Sequence, residues 1–399
     1  MEFYLGRQIW EFRLTDGSIA CKPGTCIQHL MNCVTSCSLN PEKMKRLILP
    51  FALLVLNLPA QTQDVKDIKL VDYRPVSIYA IPAHEVKKAK FGMVDFHTHD
   101  NVKTEAELDT WVKTMDSVGL AKVNILSYST GPEFDLIAAR YRRYKDKFNV
   151  WCGFDYTGFE QPGWTELAIK ELERCHRVGA RGVGELGDKG LGEFYSKPVA
   201  STMHIDDTRM QPLLKRCGEL HMPVSVHVAE DAWMYLNADS TNDGLMNAGT
   251  WKVDMGKKGI LDHDQLIQTL ENAVKANPHT IFIACHFANC CSDLGKLARL
   301  FDKYPNLYAD IAARYGEISS IPRYTRAFME KYADRLVYGT DMGTSIKMYR
   351  TTLRILESDD EHFYERDLFD YHWPLYGLGL STEALRKIYQ GNAVKILGK

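Results

Sequence analysis

From Phe91 to the C-terminus the sequence alternates between short apolar runs and longer amphipathic segments, and this alternation limits the folds open to the chain. Eight runs carry a strand pattern. They are "FGMVDFHTHD" (Phe91–Asp100), "AKVNILSYS" (Ala121–Ser129), "NVWCGFDYT" (Asn149–Thr157) and "ARGVGELG" (Ala180–Gly187), then "MPVSVHVAE" (Met222–Glu230), "TIFIACHFA" (Thr280–Ala288), "NLYADIAAR" (Asn306–Arg314) and "RLVYGTDMG" (Arg335–Gly343). Most are nearly continuous in apolar character, as expected of parallel strands buried on both faces. The intervening segments have helical period: in "TEAELDTWVKTMDSVG", Leu108, Val112, Met115 and Val118 form one stripe. Eight strand–helix units predict a distorted (β/α)8 barrel of the TIM type, which at about 250 residues plus long loops fits Phe91 to Lys399. A doubly wound open sheet is the alternative, but no glycine-rich phosphate loop follows the first run. Two long loops, Asp231 to about Leu261 and Met342 to about Leu380, follow strand C-termini and are expected over the mouth of the barrel. They hold Trp233, Tyr235 and Trp251, and Tyr371, His372, Trp373 and Tyr376.

The polar residues that interrupt these runs fall at one end. His97 and His99 close the first strand and, one residue apart, share a face. Glu185 ends the fourth, His227 the fifth, His286 the sixth and Asp341 the eighth. In a barrel those ends meet on one rim. Four imidazoles and two carboxylates facing one cavity predict a site for a divalent metal, zinc first. Such a metal leaves a place for water and lowers its pKa toward neutrality, and Asp341 is placed to take the proton. Any one of these residues alone is more simply a hydrogen-bonded core group. Five separate strands bringing such groups to one end is the stronger signal.

The ordered set "DFHTHD", "GVGELG", "VSVHVAE", "IFIACHFAN", "LYADIAARYGE", "LVYGTDMG" and the closing "KIYQGNAVKILG" resembles the amidohydrolase superfamily, in its amidohydrolase 2 branch. The resemblance covers Phe91 to the C-terminus. It implies a metal-dependent hydrolase acting on an amide, ester or lactone of a small molecule, with His97, His99, His227 and Asp341 around one metal. His286 is then a ligand of a second metal or polarises the substrate. Many members carry a carboxylated lysine on strand four. Here Glu185 takes that place, either as a carboxylate bridge, as in TatD-type deoxyribonucleases, or as support for a one-metal site. The same branch includes decarboxylases and lyases, the runner-up reading, with a TatD-like nuclease third. Arg314, after strand seven, is a candidate substrate anchor through a bidentate guanidinium, or else half of an ordinary ion pair. Asp95 shares the face of His97 and is expected deeper, as a support.

A net charge of −2 supplies no field for nucleic acid or an anionic membrane. A homo-oligomer is left open. Before the barrel, Lys45 and Arg46 precede an apolar stretch, Leu47–Leu58, and a small-residue site at Ala60, the form of a secretory signal. That divides the chain into an upstream extension (1–43), a signal segment (44–60), a lead-in (61–90) and the barrel (91–399). If Met44 is the true start, the protein is secreted or periplasmic. Leu47–Leu58 is too short to span a bilayer, which takes about 20 apolar residues. Cys21, Cys26, Cys33 and Cys37 lack paired C-x-x-C spacing. The other six cysteines lie in apolar patterns and are expected as buried free thiols.

Overall fold

The computed structural model describes residues 10–15, 18–23, 64–190, 200 and 203–398. The chain divides into two units at Ile68/Lys69. In the first, Trp10–Thr15 and Ser18–Pro23 pair as an antiparallel hairpin. Segment 44–60 and Cys26, Cys33 and Cys37 lie outside the described residues.

The second unit contains eight parallel strands: β1 (Met93–Thr98), β2 (Leu120–Leu126), β3 (Phe148–Trp151), β4 (Val183–Asp188), β5 (Val224–Val228), β6 (Phe282–Ala284), β7 (Leu307–Asp310) and β8 (Leu336–Val337). Strands β1 to β3 pair in sequence order, as do β4 to β8. Two seams join the sets. Cys152 bridges Val183, with Cys152 N donating to Gly182 O at 3.0 Å and Gly184 N to Cys152 O at 2.8 Å. Phe96 N donates to Tyr338 O at 2.9 Å, and Asp341 N to His97 O at 2.7 Å. The ring therefore closes with looser pairing at the seams, the distorted barrel expected.

The barrel helices are α1 (Glu105–Val118), α2 (Gly131–Tyr141), α3 (Trp164–Val178), α4 (Gln211–Glu219), α5 (His263–Ala276), α6 (Leu294–Lys303), α7 (Pro322–Lys331) and α8 (Ile346–Glu357). Helix α1 shows why they form where they do. Thr104 and Glu107 make a reciprocal capping box, the stripe Leu108, Val112, Met115 and Val118 is buried together with Trp111, and Gly119 ends the helix with φ 80°. Val94, Phe96, Leu126, Trp151, Ile283 and Val337 form an apolar cluster closed by Ala393 and Ile396 of the last helix. Each large side chain buried there stabilises the ring by about 1.5–3 kcal/mol. Cys152, Cys175, Cys217, Cys285, Cys290 and Cys291 are free and buried, as expected. Among the described residues no helix is long and apolar enough to cross a membrane.

One expectation needs correcting. Part of the stretch Met342–Leu380 is not loop but α8, capped by Ser345 and burying Met348, Tyr349, Leu353, Ile355 and Leu356. Residues from Lys69 onward lie in the second unit, where His84 Nδ1 is 2.5 Å from Asp360 and Ala89 N donates to Val118 O at 2.9 Å. The true loops are 231–261, with a short helix at Leu245–Trp251, and 358–380, with one at Arg366–Phe369. They meet through aromatic rings. Tyr371 stacks on Trp373 at 4.1 Å, and Trp233 lies 6.2 and 6.0 Å from the two.

Candidate metal centre

The six residues picked from the strand ends gather in one place, the four imidazoles around Glu185. Its Oε1 is 2.8 Å from His227 Nδ1, 3.6 Å from His286 Nε2 and 3.7 Å from His97 Nε2. Its Oε2 is 3.5 Å from His99 Nε2. Asp341 Oδ1 closes the other side, 3.0 Å from His99 Nε2 and 3.7 Å from His97 Nε2. Ligand atoms on one ion with bonds near 2.1 Å stand about 3.0–3.4 Å apart, close to these spacings. The sequence placed Glu185 at the end of β4, but it lies within the strand, two residues before Gly187.

Backbone turns aim several of these groups. His286 and Asp341 sit just beyond β6 and β8 with φ of 58° and 64°, and Phe287, Ala288 and Asn289 continue the left-handed run. Such conformations cost free energy in residues with a Cβ and persist only where the surroundings hold them. Asn289 Nδ2 does so here, donating to Val228 O at 3.0 Å and Ala229 O at 3.1 Å. Gly339 lets β8 lie against β1: a Cβ there would stand 3.0 Å from His97 Cβ and 3.2 Å from Ala312 Cβ.

Three imidazoles are fixed in the same sense. His97 Nδ1 donates to Asp310 Oδ2 (2.9 Å), His99 Nδ1 to Leu126 O (3.0 Å) and His286 Nδ1 to Ala312 O (2.9 Å). Each Nε2 is thereby the atom turned to the carboxylates, open to a metal once any proton on it is displaced. His97 Nε2 is buried and has no hydrogen-bond partner. That atom, with the donor set around it, fits a divalent cation. His227 differs: Nδ1 faces Glu185, and Nε2 faces Glu230 Oε2 at 3.6 Å. Ligand atoms within mutual reach form the groups His97–His99–Glu185, His97–His286–Asp341, Glu185–His227–His286 and His97–Cys285–Asp310. The first three share His97, Glu185 and His286 pairwise, so the six residues make one continuous donor set.

The electrostatics agree. Burial works against the charged form of His97, but Asp310, Cys285, Glu185 and Asp341 outweigh it and hold the pKa well above the usual imidazole value. His99 and His227 are raised against the same burial, by Asp341 and Glu185 respectively. Burial and the neighbouring positive groups keep His286 low. Burial would lift Glu185, yet His97 and His227 hold it well below the carboxylate range, and His97 and His99 hold Asp341 near 2. An anionic pocket that draws protons onto its imidazoles is one in which a divalent cation can replace them.

Sequence reasoning passed over Asp310, which is buried at the end of β7 and also accepts His286 N at 2.9 Å and Ala312 N at 3.0 Å. The signal was available: Asp310 ends an apolar run, as the other site residues do. Asp95 does not join the cluster. The β1–β2 register shifts between Asp95 and Thr98, so alternation fails there, and Asp95 instead accepts Thr340 Oγ1 at 2.7 Å and Tyr349 OH at 3.2 Å. It still supports the site, through the loop that carries Asp341. Arg314 lines the mouth, with its side chain 12% exposed and 3.1 Å from Asp231, 3.7 Å from Glu317 and 3.0 Å from Asn289. A cavity of about 490 Å³ opens from the cluster between the two loops.

The amidohydrolase family (Amidohydro_2) matches residues 137–399, well over half of the sequence. The chain belongs to the amidohydrolase family. The matched span takes in β3 to the C-terminus, so His97 and His99 precede it. No protein of curated function matches the sequence. Among solved structures, a Staphylococcus aureus protein described as an amidohydrolase is similar at 15% identity and TM-score 0.50, covering 77% of this chain and 99% of its own. The 2,6-dihydroxybenzoate decarboxylase of Rhizobium aligns at 15% identity and TM-score 0.48, covering 77% and 99%. The 5-carboxyvanillate decarboxylase of Novosphingobium aromaticivorans, solved with manganese, aligns at 13% and 0.46, covering 79% and 99%. At such identities the likeness is one of fold alone.

Proposed function

We propose that this amidohydrolase is a metal-dependent hydrolase that cleaves an amide, ester or lactone bond of a small molecule with water. The observation that carries the reading is the common setting of His97, His99 and His286: each Nδ1 is tied down and each Nε2 is turned toward Glu185 or Asp341. His97, His99, Glu185 and Asp341 would hold one cation, and Glu185, His227 and His286 a second beside it. When bound, the cation supplies Lewis acidity, lowering the pKa of water and polarising a carbonyl. Zinc suits the mixed imidazole–carboxylate set best, and manganese next.

The protein's own groups do the rest. Asp341, its side chain 30% exposed toward the cavity, is ionised and accepts the proton of the attacking water at a carboxylate oxygen, then returns it to the leaving group. His286 stays neutral, its ring fixed by Ala312 O, and presents Nε2 to the substrate side. Met234, Met348, Leu368 and Phe369 line the cavity and limit water around the reacting bond.

Elemental analysis of the purified protein tests the centre: two ions per chain support a bridging Glu185, and none defeats the reading. Release of acid or amine, without carbon dioxide, tests the reaction. Asp341→Asn is expected to lower kcat by about 10²–10⁴-fold. Carbon dioxide release without hydrolysis, or an unimpaired Asp341→Asn, would overturn the reading.

A further inference from the structure

Away from the residues that would hold the ions, the cavity wall carries three carboxylates (Glu230, Glu317 and Asp370) against two basic side chains, Lys189 and Arg314. Both bases are already engaged. Lys189 Nζ is paired with Glu230 and lies 5.2 Å from the ring centre of Trp251. Arg314 is held by Asp231 and Glu317, and its Nε also donates to Asn289 Oδ1 at 3.0 Å. Glu317 is fixed in turn by Tyr371 OH at 2.6 Å. Burial pushes the Asp231 carboxyl up to about 8 against the pull of Arg314, so Glu317 is the carboxylate that offsets the guanidinium, and the Arg314 neighbourhood offers an incoming anion no net positive charge. Bringing a second carboxylate against Glu317 would add like-charge repulsion in a poorly solvated place. The other character of the rim is aromatic and neutral. Trp251 is 57% and Tyr128 42% exposed, with Asn247 and Thr250 beside Trp251 on one short helix. Exposed ring faces with amide and hydroxyl groups nearby suit an uncharged ring bearing hydroxyls.

We propose that Glu317, by neutralising Arg314, makes the outer cavity select substrates whose part remote from the scissile bond is an uncharged, hydroxyl-bearing ring and reject those with a second anionic group there. This rests on the hydrolase reading for the existence of a metal centre, and it adds the class of substrate. Arg314 then acts as a strut of the wall and Glu317 as a specificity residue.

Two probes separate this claim from the metal claim, because both carry the same metal-seeking hydroxamate and differ only at the far end of the ring. 4-(Hydroxymethyl)benzohydroxamic acid and 4-carboxybenzohydroxamic acid are titrated calorimetrically into the zinc-loaded full chain. The neutral probe is expected to bind about tenfold or more tightly than the anionic one. In Glu317→Gln, release of the Arg314 charge is expected to shrink that preference at least threefold, mainly by improving binding of the carboxylate probe, whereas Asp231→Asn, which removes no charge at neutral pH, is expected to leave it within about twofold. Equal binding of the two probes by the wild type, or tighter binding of the anionic one, overturns the proposal while leaving the metal centre in place. An unchanged preference in Glu317→Gln, or an equal loss of preference in Asp231→Asn, overturns the role of Glu317. Failure of both probes to bind overturns the metal centre and this inference with it.

Discussion

Replacing Asp310 with asparagine isolates the tautomer of one histidine. The carboxylate receives three donors: Oδ2 takes His97 Nδ1 at 2.9 Å, and Oδ1 takes His286 N at 2.9 Å and Ala312 N at 3.0 Å. Asparagine keeps an oxygen for the two backbone donors but turns an NH2 group toward His97. Nδ1 must then accept rather than donate, and the ring proton moves to Nε2, the atom aimed at Glu185 and Asp341. His97 is lost as a ligand without a change of shape. Partners of this kind are worth about 10–100-fold in metal affinity, or about 1.4–2.7 kcal/mol. The assay is competition for zinc against a chromophoric chelator, with Tm of the metal-free protein as the control for folding. Asp310→Ala serves as the contrast. It also strands two buried N–H groups, each costing about 1–3 kcal/mol, so it lowers the metal-free Tm as well. If Asp310→Asn binds zinc within about threefold of the wild type, the reasoning from second-partner hydrogen bonding fails.

Further outcomes follow from the same geometry. Gly339→Ala drives a methyl group against His97 and Ala312 and is expected to destabilise the fold by about 1–3 kcal/mol, read as a lower Tm, and to weaken zinc binding with it. Chelation lowers Tm and zinc restores it, by about 2.7 kcal/mol of stability at a free concentration a hundred times Kd. His204, whose hydrogen bond to Asp188 at 2.9 Å raises its pKa, gives a pH signature. A raised imidazole stabilises fully below its unfolded pKa, about 6.5, and the contribution fades as pH rises through the folded value. Wild-type Tm should therefore fall more than that of His204→Asn between about pH 6 and pH 9, and parallel curves would remove this pair from the stability of β4.

The barrel was legible because its strands are buried on both faces, which forces near-continuous apolar runs, and because its helices need one apolar stripe each. Helix α8 escaped for a local reason: β8 is only two residues long, and the loop aromatics beyond drew attention from the stripe Met348, Leu353, Leu356. The placement of His97, His99, Glu185, His227, His286 and Asp341 could be read from strand ends, since strand direction alone decides which rim they share. Their grouping could not. Whether His227 faces Asp341 or Glu185 depends on barrel stagger and on φ values after β6 and β8. Asp310 could have been picked from the end of its apolar run, and the Arg314–Glu317 pair from its i, i+3 spacing, but Asp231 reaches Arg314 from a distant loop that no local pattern announces.

The ring cluster of Trp233, Tyr371 and Trp373 ties the two loops over the barrel mouth into one packed unit. Residues 231–261 and 358–380 share that bed of indole and phenol, so exchanging either loop alone leaves a hole against the other. Re-targeting the enzyme, by nature or by engineering, is a two-loop problem.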